Sequence, residues 1–213
     1  MSSGPNVPRG TKPSPSQIST LGTSYSRLEQ YVQILENEST IQGLLGPREI
    51  DKIWERHILN CAAINELIPA KASIIDIGSG AGLPGIVLAI MRPDSEVTLV
   101  EPMQRRIDFL NQTVRELNLT NVQIVRGRAE DQKISAQVVT SRAVAPLNKL
   151  ITWSWPLVEK GGKLLAMKGQ KAQSEWEEAK TERPSLENLT ASIKTCGSAL
   201  DLSVTVVEIL KES

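Results

Sequence analysis

The sequence predicts a doubly wound α/β domain with a mostly parallel sheet and an amino-terminal helical extension, on three observations. After Pro69, short β-branched runs alternate with amphipathic segments at the pitch of strand-helix-strand units. Ahead of Pro69, apolar residues recur three and four apart, which is helical spacing. The 213 residues, 40% of them hydrophobic, suffice for one such domain with a sizeable core and a small appended element.

The elements follow in chain order. Residues 1–24 begin with a stretch rich in Pro, Ser and Gly that carries Arg9 and Lys12 without any acid, and they are expected to be a disordered leader. Residues 25–69 form the extension. Leu28, Tyr31, Val32 and Leu35 mark one helix over 25–45, and Ile50, Ile53, Trp54 and Ile58 a second over 47–67, with Gly46-Pro47 between them. Residues 70–213 form the α/β domain. Its strands are read at SIIDI, VTLV, VQIV, QVVT, KLLAMK and VTVVEIL, and its helical segments include RRIDFLNQTVREL, PLNKLITWSWPLV and SEWEEAK.

Composition narrows the function. Twenty-four basic and 24 acidic side chains cancel, so no overall field draws the chain to nucleic acid or anionic lipid, and any such contact needs a local patch. Arg48, Arg105, Arg106, Lys149, Lys163 and Lys171 could supply one. Two cysteines without metal-type spacing suit a reducing compartment and predict no metal. No run approaches the roughly 20 apolar residues of a membrane helix, so a cytoplasmic protein, away from any membrane, is expected.

The segment IIDIGSGAGLPG then places glycines at the turn after the first strand, where doubly wound sheets bind ligands and bare backbone can approach them. A dinucleotide fingerprint would need glycine at position 83, which is Leu83. Gly78, Gly80 and Gly82 with Ser79 between, preceded by Asp76, suit S-adenosylmethionine better, since it has no pyrophosphate to seat. Glu101 ends the next strand, 21 residues after Gly80, where an acid accepts hydrogen bonds from ribose hydroxyls, although it could be a solvated strand-end carboxylate. Ala129 and Glu130 end the third strand, where adenine is commonly read.

The ordered set DIGSGAGLPG, VEP, GRAE, SRAVAPL and MKG, with WERHILN upstream, resembles the RsmG (GidB) family of small-subunit ribosomal RNA methyltransferases over about residues 50–169. The resemblance implies a class I methyltransferase fold with seven strands, S-adenosylmethionine as donor, and N7 of a guanine in the decoding region of 16S rRNA as acceptor. It also implies a cofactor site of Asp76, Gly78, Ser79, Gly80, Gly82, Leu83, Glu101, Ala129, Glu130 and Arg142. Arg142 and Lys168 are expected at the reaction centre as catalytic residues, and Arg56, His57, Arg128 and Lys168 on the RNA side. The partner it implies is 16S rRNA within the small ribosomal subunit, and the protein is expected to be a monomer.

Read without the resemblance, several residues keep a second meaning. Arg142 and Lys168 could be salt-bridged strand-end cations. Arg128 could pair with Glu130 or touch phosphate, and the single histidine, His57, could be a packed or capping residue. Trp54 fits the core better than a base-stacking role. The position after the fourth strand reads SRAVAP, which offers no Asn/Asp-Pro-Pro-aromatic tetrad for an exocyclic nitrogen, and neither Cys61 nor Cys196 is placed to attack a pyrimidine. Guanine N7 has a free lone pair and needs no base, so positioning could suffice. The alternatives are a non-catalytic S-adenosylmethionine- or nucleotide-binding ribosome-assembly factor, and a methyltransferase with another RNA acceptor.

Overall fold

The computed structural model describes residues 12–42 and 46–212. Seven strands, β1 (Ile74–Ile77), β2 (Val97–Glu101), β3 (Val122–Arg126), β4 (Ala136–Arg142), β5 (Val158–Met167), β6 (Thr190–Cys196) and β7 (Val204–Leu210), form one sheet in the order β3-β2-β1-β4-β5-β7-β6. Strands β1 to β5 pair in parallel, and β7 runs antiparallel to both β5 and β6. The doubly wound expectation therefore holds. Strand β6 is the element the sequence reading misses. As an edge strand it keeps most of its residues partly or fully exposed, so TASIKTC carries too few apolar residues to mark a face.

Alternation along the strands sorts the core into two layers. Ile74 and Val138 face one layer, with Leu99, Leu165 and Met167, while Ile75, Ile77 and Val139 face the other. Helices α7 (Leu147–Ser154) and α8 (Ala172–Glu182) cover the second layer through Leu147, Leu150, Trp176 and Ala179. The expected helix PLNKLITWSWPLV stops at Ser154, because Pro156 has no N–H to continue the ladder, and the chain passes through a 3-10 turn into β5 at Val158.

The first layer is covered by α5 (Gly85–Met91), α6 (Gln104–Glu116) and the amino-terminal helices α1 (Pro15–Leu21), α2 (Tyr25–Gln42), α3 (Pro47–Ile50) and α4 (Leu59–Ala63). Leu28, Tyr31, Val32 and Leu35 of α2 are all buried in the same core as Ile86, Leu88, Leu99 and Phe109, so the extension and the sheet share one core. Trp54 belongs to that core and stacks on Tyr25 at 5.6 Å between ring centroids. The expected single helix over 47–67 is divided into α3, a π-helical turn (Ile53–Ile58), α4 and a 3-10 turn (Ile64–Leu67). Apolar spacing cannot reveal a wider turn of this kind, which frequently occurs at functional sites.

The leader is corrected in part. Residues 15–24 are helical, started by a capping box in which Ser14 Oγ accepts from Gln17 N and Gln17 Oε1 accepts from Ser14 N. Gln17 and Thr20 donate to the Leu200 and Ala199 carbonyls, which ties α1 to the turn between β6 and β7. Residues 1–11 of that leader, and 43–45 of the expected first helix, lie outside the described residues. Among the described residues no helix is long and apolar enough to cross a membrane.

Tyr31 links the extension to the glycine turn, its hydroxyl donating to the Ala81 carbonyl at 2.5 Å in a buried setting. Tyr31→Phe would strand that carbonyl, and about 1–3 kcal/mol of stability should be lost in urea unfolding. An unchanged midpoint would show that the bond contributes nothing net.

Candidate functional site

The site grows from the end of β1. Gly78 and Ser79 both donate their amides to the Val100 carbonyl, at 2.8 and 3.2 Å, so the turn continues the sheet's own bonding past the last paired residue. At Gly78 the backbone is left-handed (φ +64°), and a Cβ there would stand 2.6 Å from Val144 Cγ2, so any other residue would be strained and would force Val144 to move. Beneath the turn lies Asp76, fully buried, whose Oδ2 accepts from the Gly85 amide at 3.0 Å while Ser79 Oγ donates to the Asp76 carbonyl. A Cβ at Gly85 would reach 2.7 Å from that same Oδ2, so close approach requires glycine there. Burial raises the Asp76 carboxyl to about 7, and the hydrogen bond from the Gly85 amide offsets this only in part.

Above the turn opens a cavity of about 660 Å³, a size suited to a nucleoside-like ligand. Gly78, Ser79, Gly80 and Leu83 line it from the β1 turn, Glu101 and Met103 from β2, Arg128, Ala129 and Glu130 from β3, and Arg142 and Val144 from β4. Glu101 is 1% exposed. It accepts from Gly80 N at 2.9 Å and from Met103 N at 3.0 Å, and Arg106 stands 3.6 Å from its Oε2. Arg128 and Glu130 face each other at 3.8 Å, both substantially exposed, so the ion-pair reading of Arg128 has geometry behind it.

Five expected site residues do not line this cavity. Asp76 and Gly82 lie behind the turn, where they shape it from below. Lys168 borders a second cavity of about 840 Å³, which shares Ala143 and Val144 with the first. There its Nζ meets Glu175 Oε2 at 2.8 Å and donates to the Ala145 carbonyl at 2.5 Å. Strand parity is the reason: Arg142 pairs in register with Met167, so the next residue, Lys168, turns to the opposite face, toward α8. The expectation that Arg142 and Lys168 point into one site is corrected accordingly.

Arg56 and His57, expected at the pocket mouth, sit behind Arg142. His57 is 7% exposed. Its Nδ1 is 2.7 Å from the Arg142 guanidinium and its Nε2 is 2.9 Å from Glu49 Oε2. Burial, and then the Arg142 charge, hold its pKa below the ordinary value. Arg56 is half-exposed, with its guanidinium 3.4 Å from Glu49 and its carbonyl accepting from Arg142.

Glu49 and Trp153 join the site or its support without having been singled out, Tyr31 was read only as a core position, and no spacing signal connects them to the glycine turn. Of the expected basic patch, Arg106 lines the first cavity and Lys149 and Lys171 the second. Lys163 sits in the middle of β5, four residues before its end, and pairs with Glu208 at 3.1 Å. The Arg48 side chain lies outside the described residues. Among the described residues no group of His, Cys, Asp and Glu could hold a metal.

Known proteins resemble this chain in sequence and in fold. The family described as rRNA small subunit methyltransferase G matches residues 24–204. The protein named ribosomal RNA small subunit methyltransferase G from Thermobifida fusca is 49% identical, covering 92% of this chain and 84% of its own. Its namesake from Mycolicibacterium smegmatis is 47% identical, over 93% and 88%. In structure, a SAM-dependent methyltransferase from Aquifex aeolicus superposes with a TM-score of 0.56 at 14% identity, over 78% of this chain and 98% of that one. A putative S-adenosyl-L-methionine-dependent methyltransferase from Methanococcus maripaludis gives 0.55 at 17%, over 85% and 92%. The fold is that of the class I methyltransferases.

Asp76 generates a prediction with a definite sign. A carboxyl raised from 3.8 to about 7 by folding costs stability that grows as pH rises between those values. Asp76→Asn keeps an acceptor for the Gly85 amide and removes the charge. Relative to the parent, it should therefore gain stability from about pH 4 to about pH 7 in urea unfolding. A constant difference across that range would mean that Asp76 is not a buried, strained carboxyl.

Proposed function

The chain belongs to the rRNA small subunit methyltransferase G family, and from that premise we propose that it transfers a methyl group from S-adenosylmethionine to N7 of a guanine in the decoding-region loop of 16S rRNA. The observation that carries the donor side is one cavity fed by three successive strand ends: the glycine turn after β1, Glu101 at the end of β2, and Ala129-Glu130 after β3. These residues fit the donor. The bare backbone from Gly78 to Gly80 suits its methionine portion, the Glu101 carboxylate its ribose hydroxyls, and Ala129 with Glu130 its adenine. Bound there, S-adenosylmethionine supplies an electrophilic methyl group on a sulfonium.

What the chain must add is position. Both cysteines are buried, and burial lifts Cys61 to about 11 and Cys196 to about 12, so neither offers the thiolate that carbon methylation requires. Guanine N7 needs no proton removed, so an enzyme that orients the base and excludes water is sufficient for this acceptor. Arg142, on the β4 wall of the cavity, is the cation placed to do so. Methylation puts positive charge on the base, so a cation serves best on O6, on a flanking phosphate or on the donor carboxylate, leaving N7 free. Lys168 acts from the neighbouring cavity: by holding the Ala145 carbonyl it fixes the Ala143–Ala145 turn that separates the two cavities. Arg128 and Arg56, both exposed, are left for the RNA backbone. A chain of zero net charge and a base that must be presented from a folded loop favour the small ribosomal subunit over naked RNA as substrate.

Primer extension over small-subunit RNA from cells lacking the protein, after chemistry that cleaves at 7-methylguanosine, should show one stop missing and restored by the wild-type chain. An unchanged stop pattern would remove the assignment. In vitro, Arg142→Ala should lose roughly tenfold more in methyl transfer than in donor affinity. Arg142→Lys should rescue it poorly, because one guanidinium nitrogen serves both His57 and the Arg56 carbonyl while the rest of the fork stays free. A defect confined to donor binding would place Arg142 wholly on the cofactor side.

A further inference from the structure

Behind the cavity wall Glu49, His57 and Arg142 form a single file of contacts that the donor and acceptor assignments do not use. Arginine can only donate, so the 2.7 Å contact from its guanidinium requires an unprotonated Nδ1 on His57. The ring proton then lies on Nε2, where the Glu49 carboxylate accepts it at 2.9 Å. The file crosses three elements: Glu49 on α3, His57 on the π-helical turn, and Arg142 at the end of β4. The π-helical turn brings His57 and the Arg56 carbonyl together onto the same guanidinium nitrogen. Two acceptors on one nitrogen hold that end of Arg142 in place and leave the rest of its fork for the cavity it lines.

We propose that Glu49 and His57 are positioning residues for methyl transfer: Glu49 selects the Nε2–H tautomer of His57, and the free Nδ1 of His57 holds the Arg142 guanidinium in the orientation that meets the acceptor. Protonating His57 would set an N–H against the guanidinium and break the file. The charged groups facing His57 are Glu49 from α3, Arg56 beside it and Arg142 from β4, with Asp76 beyond Arg142 on β1. Glu49 favours the imidazolium, while burial, Arg142 and Arg56 oppose it.

The rate consequence rests on the methyltransferase reading, but the tautomer does not, so the two can fail separately. His57 is the only histidine, so protein labelled with ¹⁵N-histidine reports one imidazole. Its Nδ1 should resonate as unprotonated at neutral pH, with a titration midpoint below the ordinary 6.5. The midpoint should fall further in Glu49→Gln and rise in Arg142→Ala. An Nδ1–H tautomer, or a midpoint that neither variant moves, would overturn the file.

For catalysis, His57→Asn places an amide oxygen where Nδ1 stood, and His57→Gln places an amide nitrogen where Nε2 stood. The asparagine variant should keep methyl transfer within a few-fold of the parent. The glutamine variant should lose roughly tenfold or more in kcat, with donor affinity from calorimetry unchanged in both. Equal losses in the two, or better activity from glutamine, would reduce His57 to a packing residue. Absence of transfer in the parent chain itself would instead strike at the methyltransferase reading.

Discussion

A glycine-rich turn has no side chains with which to hold itself, so its shape must come from what grips its backbone. Here the grip is buried and comes from below. The Val100 carbonyl takes two amides, the Asp76 carboxylate takes the Gly85 amide, and the Tyr31 hydroxyl donates to the Ala81 carbonyl. Each of those partners sits on a different element: β2, β1 and α2. The upper side of the turn is thereby left to the cavity, with Gly80 N already directed at Glu101. Loosen the grip and the backbone that would receive the donor has no fixed form, whatever the glycines permit.

The strain in this arrangement is electrostatic. Asp76 is a carboxyl with no exposure, lifted by burial to about 7, and its Oδ1 has no hydrogen-bond partner among the described residues. A core built only for stability would place an apolar residue there. What the carboxylate contributes is an acceptor at the amino end of α5, against a glycine that leaves it just enough room. Stability is given up locally to tie the end of β1 to the amino end of α5, across the turn between them.

The two faces of the sheet divide the labour. On the face covered by the amino-terminal helices lie Asp76, Arg142 and the His57–Glu49 file, so the extension reaches the cavity through hydrogen bonds as well as through the apolar core. On the other face lies Lys168, engaged with Glu175 of α8 and the Ala145 carbonyl. The turn carrying Ala143 and Val144 stands between the two cavities, and Ala143 adopts a left-handed conformation that alanine rarely takes (φ +56°). Strain at that point therefore sits where the two cavities meet.

The fold class, the glycine turn, Glu101 and the Ala129-Glu130 pair could be read from the sequence, because each is a local pattern: a period, a spacing, or an acid at a strand's end. The capping box at Ser14 was equally local, and was obscured by the proline and serine around it. Strand β6 gave no such signal, since an exposed edge needs no apolar face. Which side a strand-end cation takes was beyond local reading. Position along the chain put Arg142 and Lys168 at neighbouring strand ends, but the register of β4 on β5 turned them to opposite faces. Nor did any spacing join Glu49, His57 and Arg142, which meet because a π-helical turn and a sheet edge pack on the same core. Patterns of one dimension determine which elements form and where a ligand's backbone cradle lies; the partners of a charge depend on how elements dock, and docking is settled by the packed core as a whole.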